Sequence, residues 1–244
     1  MEVLKGLVFN LQGLKLGLTT GKLLFWGLVR FALLLLIMLA FAGLILAYHQ
    51  DLMGLLWTKP ESPWLIWLWH LLSWLASLFL IGLSAIVSFI VSQLFFSVLI
   101  MDLMVRITEI QITGAVTGPP KLPLWKQFIT LFRQEIPRSV VPLILALLIL
   151  VLGWVTPFGP VTTILSSALA IIFLSWDNTD LIPARNLVPF NKRFSFLVKT
   201  IPFHLGFGLP FLVPILNILF LSFAPVGATL YYLEKQGMRK SAKP

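Results

Sequence analysis

The sequence predicts an all-α integral membrane protein: two long transmembrane helices, two re-entrant (hemi-penetrating) helical hairpins and interfacial amphipathic helices, forming a single membrane domain over residues 1–244. Three observations predict it. Hydrophobic residues make up 59% of the chain and charged residues only 11%, a composition suited to a bilayer and not to a soluble core. The charges are gathered into short segments between long uncharged runs. Two of those runs, 139–176 and 201–233, are interrupted near their middles by Pro and Gly, which marks turns inside an apolar segment.

Residues 1–20 place Val3, Leu4, Leu7, Val8, Leu11, Leu14 and Leu18 at helical spacing with Lys5 and Lys15 among them, the pattern of an interfacial amphipathic helix. No short apolar core with a small-residue cleavage site precedes it, so this segment is expected to stay on the mature protein. Thr19-Thr20-Gly21-Lys22 then supplies helix-starting chemistry, because a Thr hydroxyl accepts a hydrogen bond from a free amide of the following turn. The first long transmembrane helix is expected over 23–48, with Arg30 either snorkelling to headgroups or facing protein.

The polar connection that follows contains Asp51, Lys59 and Glu61, with Pro60 and Pro63 as breakers. Residues 62–101 carry no charge and would reach about 60 Å as one helix, nearly two bilayer thicknesses. Trp64, Trp67, Trp69 and Trp74 crowd its first part as an interfacial belt does, and His70 among them reads as structural. Asp102, Arg106 and Glu109 follow at helical spacing, permitting an Asp102–Arg106 pair at a helix end leaving the membrane.

A second interfacial helix is expected over 121–138, with Trp125, Phe128, Ile129 and Phe132 opposite Lys126, Arg133 and Arg138. The first hairpin, 139–176, is broken by Gly153, Pro157, Gly159 and Pro160 into arms shorter than the usual twenty residues of a span. A basic cytoplasmic loop over 177–200 leads to the second hairpin, 201–233, which contains Pro202, Gly206, Gly208, Pro210, Pro214 and Pro225 but no Asp, Glu, Lys or Arg. The tail, 234–244, is basic again. With both termini cytoplasmic, all of the eighteen Lys and Arg except Lys59 fall inside or at the inner boundary. The excess of nine positive charges flanks apolar stretches, so its partners are anionic lipid headgroups and not nucleic acid.

Phe207-Gly208, Pro214-Ile-Leu-Asn217 and Pro225-Val-Gly227-Ala228-Thr229 together resemble the C-terminal signature of the CysZ sulfate permeases and the related eukaryotic etoposide-induced membrane proteins. Asp177 and Arg185 match parts of a Tyr-Leu-Asp-Tyr-Pro stretch and a following Arg in that family, and 13–30 and 96–109 are similar to its corresponding parts. The resemblance implies two long transmembrane helices, two hemi-penetrating hairpins and a homo-oligomer. It also implies sulfate transport across the bacterial inner membrane, by a channel or permease feeding sulfate assimilation and cysteine synthesis. In the family, sulfate is associated with a Gly-Leu-Arg stretch at the start of the first long helix. The equivalent place here holds Thr20-Gly21-Lys22-Leu23-Leu24, without the adjacent arginines.

A sulfate dianion needs several donors and positive charge, and a helix N-terminus offers free amides at the positive end of its dipole. Thr19, Thr20, Gly21 and Lys22 supply that set, against an alternative of ordinary capping beside an interfacial lysine, and Arg30 is a deeper anion contact. His204 is a candidate gate or proton relay, or a helix-start cap. Asn217 is expected to bond exposed backbone beside the prolines, with a pathway role as the alternative. Asp177 and Arg185 form a cytoplasmic structural pair or steer substrate. No zinc, hydrolase-elbow or Walker motif is present and Cys is absent, so neither an enzyme nor a metal or other cofactor is expected. The competing reading is a non-transporting scaffold or bilayer-shaping protein of the same fold.

Overall fold

The computed structural model describes residues 1–56, 60–92, 98–116, 123–213 and 216–238. Lys59, residues 93–97 of the long uncharged run, Lys121, Pro214 and the tail beyond residue 238 lie outside that set, as do the side chains of Phe128, Phe132 and Arg138. Among the described residues every regular element is helical: α1 (Glu2–Thr19), α2 (Gly21–Ala47), α3 (His49–Leu56), α4 (Pro63–Ser92), α5 (Val98–Thr113), α6 (Leu124–Val155), α7 (Gly159–Thr179), α8 (Leu181–Arg185), α9 (Phe190–Lys199), α10 (Ile201–Gly208) and α11 (Leu216–Lys235). A 3₁₀ turn, Leu209–Leu212, extends α10. Among the described residues, four helical segments are long and apolar enough to cross a membrane: Gly21–Ala47, Trp64–Ser88, Gly159–Thr179 and Leu216–Lys235.

The chain divides into two compact units, Met1–Phe31 with Ser97–Pro244, and Ala32–Phe96. In the first, α1 packs against both α10 and α11, α10 against α7, α11 against α5, and α6 against α7. Its core gathers Phe9, Ile171, Phe203, Phe207, Phe211, Ala224, Ala228, Leu230 and Tyr231, with the Phe203 and Tyr231 rings stacked at 3.8 Å. Backbone proximity is the organising feature. A Cβ on Gly206 would collide with the carbonyl of Val3, and one on Gly227 with the carbonyl of Phe9, so α1 lies directly on the backbones of α10 and α11. Small residues permit this approach, and dispersion across the close seam holds it.

The buried face of α1 therefore differs from its apolar stripe. Gly6, Phe9, Asn10, Gly13 and Gly17 face inward, while Leu4, Val8, Leu11 and Leu18 remain exposed. Asn10 Nδ2 donates to the Phe207 carbonyl at 2.5 Å, bonding α1 to α10.

Three boundaries differ from the sequence expectation. The run 62–101 contains parts of two helices, α4 and α5, and α5 is a packed helix whose Met101, Met104 and Val105 are fully or almost fully buried. The amphipathic segment 121–138 and the first arm of 139–176 form one helix, α6, which runs through Pro137 and Pro142. A proline deletes one backbone bond, and in apolar surroundings the other amides have no better partner than the helix itself. The first hairpin turns at residues 156–158. In the second, the arms are unequal: α10 with its 3₁₀ turn is short, whereas α11 has 20 residues, enough for a span.

The second unit holds the rest of α2, together with α3 and α4. One face of α4 carries buried Ser73, Ser77, Ser84, Ser88 and Ser92. Ser84 and Ser88 donate to the Ile81 and Ser84 carbonyls at 2.7 Å. The His49 ring of α3 lies 2.5 Å from Ser77 Oγ and stacks on Trp74 at 4.9 Å. Trp64 and Trp67 stand outward, as an aromatic belt requires. His70 is exposed and packs edge-on against Trp69 at 5.0 Å.

Candidate anion site and ion-pair network

The break between α1 and α2 is a single residue. Thr20 is extended, with φ −105° and ψ 111°. Its amide bonds the Leu16 carbonyl at 3.0 Å and its carbonyl accepts the Leu24 amide at 2.8 Å. The amides of Gly21, Lys22 and Leu23 are thus the orphan donors of a new helix. The hydroxyls expected to cap them are used elsewhere: Thr19 Oγ1 donates back to the Lys15 carbonyl at 2.9 Å, and Thr20 Oγ1 meets the Gln111 side-chain amide of α5 at 3.2 Å. The capping expectation therefore fails, because a Thr at the end of α1 bonds more readily to the preceding turn. Open space surrounds Gly21 and Lys22 is exposed. A helix N-terminus with free amides, an uncrowded glycine and an adjacent ammonium can receive an oxyanion.

Arg30 lies two to three turns further along α2, only 8% exposed. Its Nη1 donates to the Leu221 carbonyl at 2.7 Å. That carbonyl belongs to α11 exactly one helical bond before Pro225, the proline inside this helix. Pro225 has no N–H to give it, so the guanidinium satisfies the acceptor that the proline strands. Snorkelling to headgroups is overturned: Arg30 faces protein, and its position explains how α11 continues through Pro225.

Arg185 of α8 is buried and reaches two carboxylates of α5, Asp102 at 3.2 Å and Glu109 at 2.6 Å. Asp102 also accepts from Arg106 Nε at 2.7 Å, so two arginines share it. Glu109 and Arg185 have 0% and 1% of their side-chain surfaces exposed, where ions persist only if paired and hydrogen-bonded. A second buried pair, Arg193 with Asp180, ties α9 to the start of α8. Sequence reading identified Arg185 but not its α5 partners, which lie 83 and 76 residues away; a charged triplet inside an otherwise apolar helix was the available signal. Asp177 is buried at the end of α7.

His204 is completely buried. Its Nδ1 donates to the Thr200 carbonyl at 2.8 Å, and its Nε2 lies 2.9 Å from Thr179 Oγ1. The His204 carbonyl accepts from Ser175 Oγ at 2.8 Å. Both ring nitrogens are occupied, and the residue joins α10 to α7. Asn217 does not bond backbone through its side-chain oxygen, which is buried without a partner. Its own amide bonds the Val213 carbonyl at 2.8 Å, closing the first turn after the hairpin apex.

These residues fall into two groups. Thr20 touches Gln111 on α5, the helix that also carries the Arg185 carboxylates Asp102 and Glu109, so the open end of α2 and the network meet the same helix. Arg30, His204 and Asn217 belong instead to the framework of the second hairpin.

Among the described residues, an all-helical arrangement with four apolar candidate spans, a buried ion-pair network and an open helix N-terminus defines a multi-pass membrane protein. Comparison with known families makes this specific. The chain belongs to the family described as sulfate transporter CysZ/Etoposide-induced protein 2.4, whose model matches residues 9–222. The match takes in the α1–α2 break, the α5 carboxylates, Arg185 and Asn217, and ends before Pro225. A comparison with curated proteins finds no significant match.

Proposed function

We propose that this protein passes sulfate, or a closely related oxyanion, across the bacterial inner membrane as a channel-like permease feeding cysteine synthesis. The observation that carries the reading is the open N-terminus of α2, where Gly21 and Lys22 present free amides and an exposed ammonium. Membership of the sulfate-transporter family supports the choice of anion. Amides and dipole favour a dianion, Lys22 adds charge, and the partly exposed Arg106 beside Asp102 offers a second cationic stop further along α5. Arg30 is held by Leu221 and acts through α11, positioning rather than touching the anion. In this reading both termini are cytoplasmic and several copies assemble.

Equilibrium binding of radiolabelled sulfate to purified protein tests this. Specific binding should be competed by unlabelled sulfate and weakened about tenfold, equivalent to ~1.4 kcal/mol, by Lys22→Ala, with Lys192→Ala unchanged. Folded protein that binds no sulfate would transfer the assignment to a scaffold of the same fold.

A further inference from the structure

At the opposite ends of α1 and α11 from the Gly17–Phe223 contact, the first unit carries a pocket of about 380 Å³ whose lining includes Glu2, Lys5, Lys199, Thr200, Glu234 and Lys235. Its walls are the first turn of α1, the α9–α10 junction and the last turn of α11. It contains both signs of charge. Lys5 pairs with Glu234 at 3.4 Å, and Lys235 Nζ sits 4.0 Å over the Phe196 ring. The lining holds three lysines and two glutamates, with Glu2 close enough to Lys235 to act on it electrostatically and, among the described residues, no direct ion pair at Lys199.

Two further features locate it. α11 is apolar enough to span a membrane and ends at Lys235, so the pocket lies where hydrocarbon gives way to headgroups. The chain bends by 76° between α9 and α10, and the segments that wall the pocket carry exposed apolar side chains: Phe194 and Val198 on α9, Ile201 on α10 and Leu4 on α1. A polar pocket next to a bare apolar surface suits an amphiphile. An isolated dianion would gain from the lysines but be repelled by Glu2 and Glu234. A zwitterion with phosphate and ammonium uses both signs.

We propose that this pocket binds the phosphoethanolamine headgroup of a phospholipid. The phosphate lies against Lys199 and Lys235, the primary ammonium against Glu2, and the acyl chains along Leu4, Val198 and Ile201. A lipid held this way fastens α1 to the α9–α10 bend and the end of α11. Lipid capture here is independent of anion passage at Lys22.

Native mass spectrometry of the full chain, extracted in mild detergent and offered equal amounts of phosphatidylethanolamine, phosphatidylglycerol and phosphatidylcholine, tests the assignment. Phosphatidylethanolamine should be retained about tenfold over the other two, a difference of ~1.4 kcal/mol. Lys199→Ala and Lys235→Ala should each lower its retention, and Glu2→Gln should abolish the preference for ethanolamine over glycerol while leaving phosphatidylglycerol binding unchanged. Lys22→Ala, outside the pocket, should retain lipid as the wild type does. Equal retention of all three lipids, or variants that behave as wild type, would overturn the proposal. Displacement of the lipid by equimolar glycerophosphoethanolamine would reassign the pocket to a free phosphoamine, and displacement by sulfate would reassign it to an oxyanion.

Discussion

The two hairpins have similar sequences in outline and opposite packing. Both are uncharged apolar runs with Pro and Gly near their middles, yet the apolar window of α7 is 17% buried and that of α11 is 61% buried. The difference is supplied from outside the hairpins. The second is covered by α1 through backbone contacts at Gly206 and Gly227, joined to α7 through His204, and repaired by Arg30 at the bond Pro225 removes. The first packs α6 against α7 and α7 against α10, but leaves Leu148, Val151, Leu152, Ile164 and Leu165 exposed. Pro and Gly thus locate turns in both, but whether a hairpin faces lipid or protein depends on what surface another helix brings to it.

Glycine substitutions should expose that contrast most strongly. Gly206→Ala drives a Cβ into the Val3 carbonyl, and separating two backbones should cost more than ~3 kcal/mol and leave little monodisperse protein. Gly153→Ala in the first hairpin meets chiefly the Thr162 hydroxyl, a side chain able to rotate, and should cost about 1 kcal/mol or less. Size-exclusion yield and thermal unfolding in detergent read both, and equal losses would remove the contrast.

Next in size is the ionic network beside the second hairpin. Glu109→Ala leaves Arg185 short of a buried partner and should destabilise the protein by roughly 3–5 kcal/mol. An unfolding midpoint within experimental error of wild type would show that the pair is not desolvated as its burial indicates.

A smaller loss is expected at Arg30. Arg30→Met strands the Leu221 carbonyl and should cost about 1–3 kcal/mol. Pro225→Ala restores an amide at the right position, so the double variant should recover most of that loss. Additive losses in the cycle would mean that Arg30 stabilises α11 by some other route. Smallest is Thr20→Val, which removes a long hydrogen bond to Gln111 and should change stability by less than about 1 kcal/mol.

The membrane class and the apolar helices were legible because hydropathy is a local property. The Asp102–Arg106 pair was legible for the same reason, being one helical turn apart. The partners of Arg185 and Arg30 were not, since pairing across 76 to 191 residues leaves no periodicity to read. In α1 the signal was present but outweighed: Gly6, Gly13 and Gly17 share a face, while the leucine stripe drew the prediction towards lipid. Thr19 and Thr20 show the converse. Their residue types fit a cap, yet the preceding turn and Gln111 offered nearer partners.

Sulfate uptake into proteoliposomes tests the functional assignment most directly. Wild-type protein should give saturable uptake competed by unlabelled sulfate, and Lys22→Ala should reduce it about tenfold, or ~1.4 kcal/mol, with an unchanged unfolding midpoint. Uptake no greater than in empty liposomes from demonstrably folded protein, or full uptake by Lys22→Ala, would contradict the placement of the anion at the start of α2.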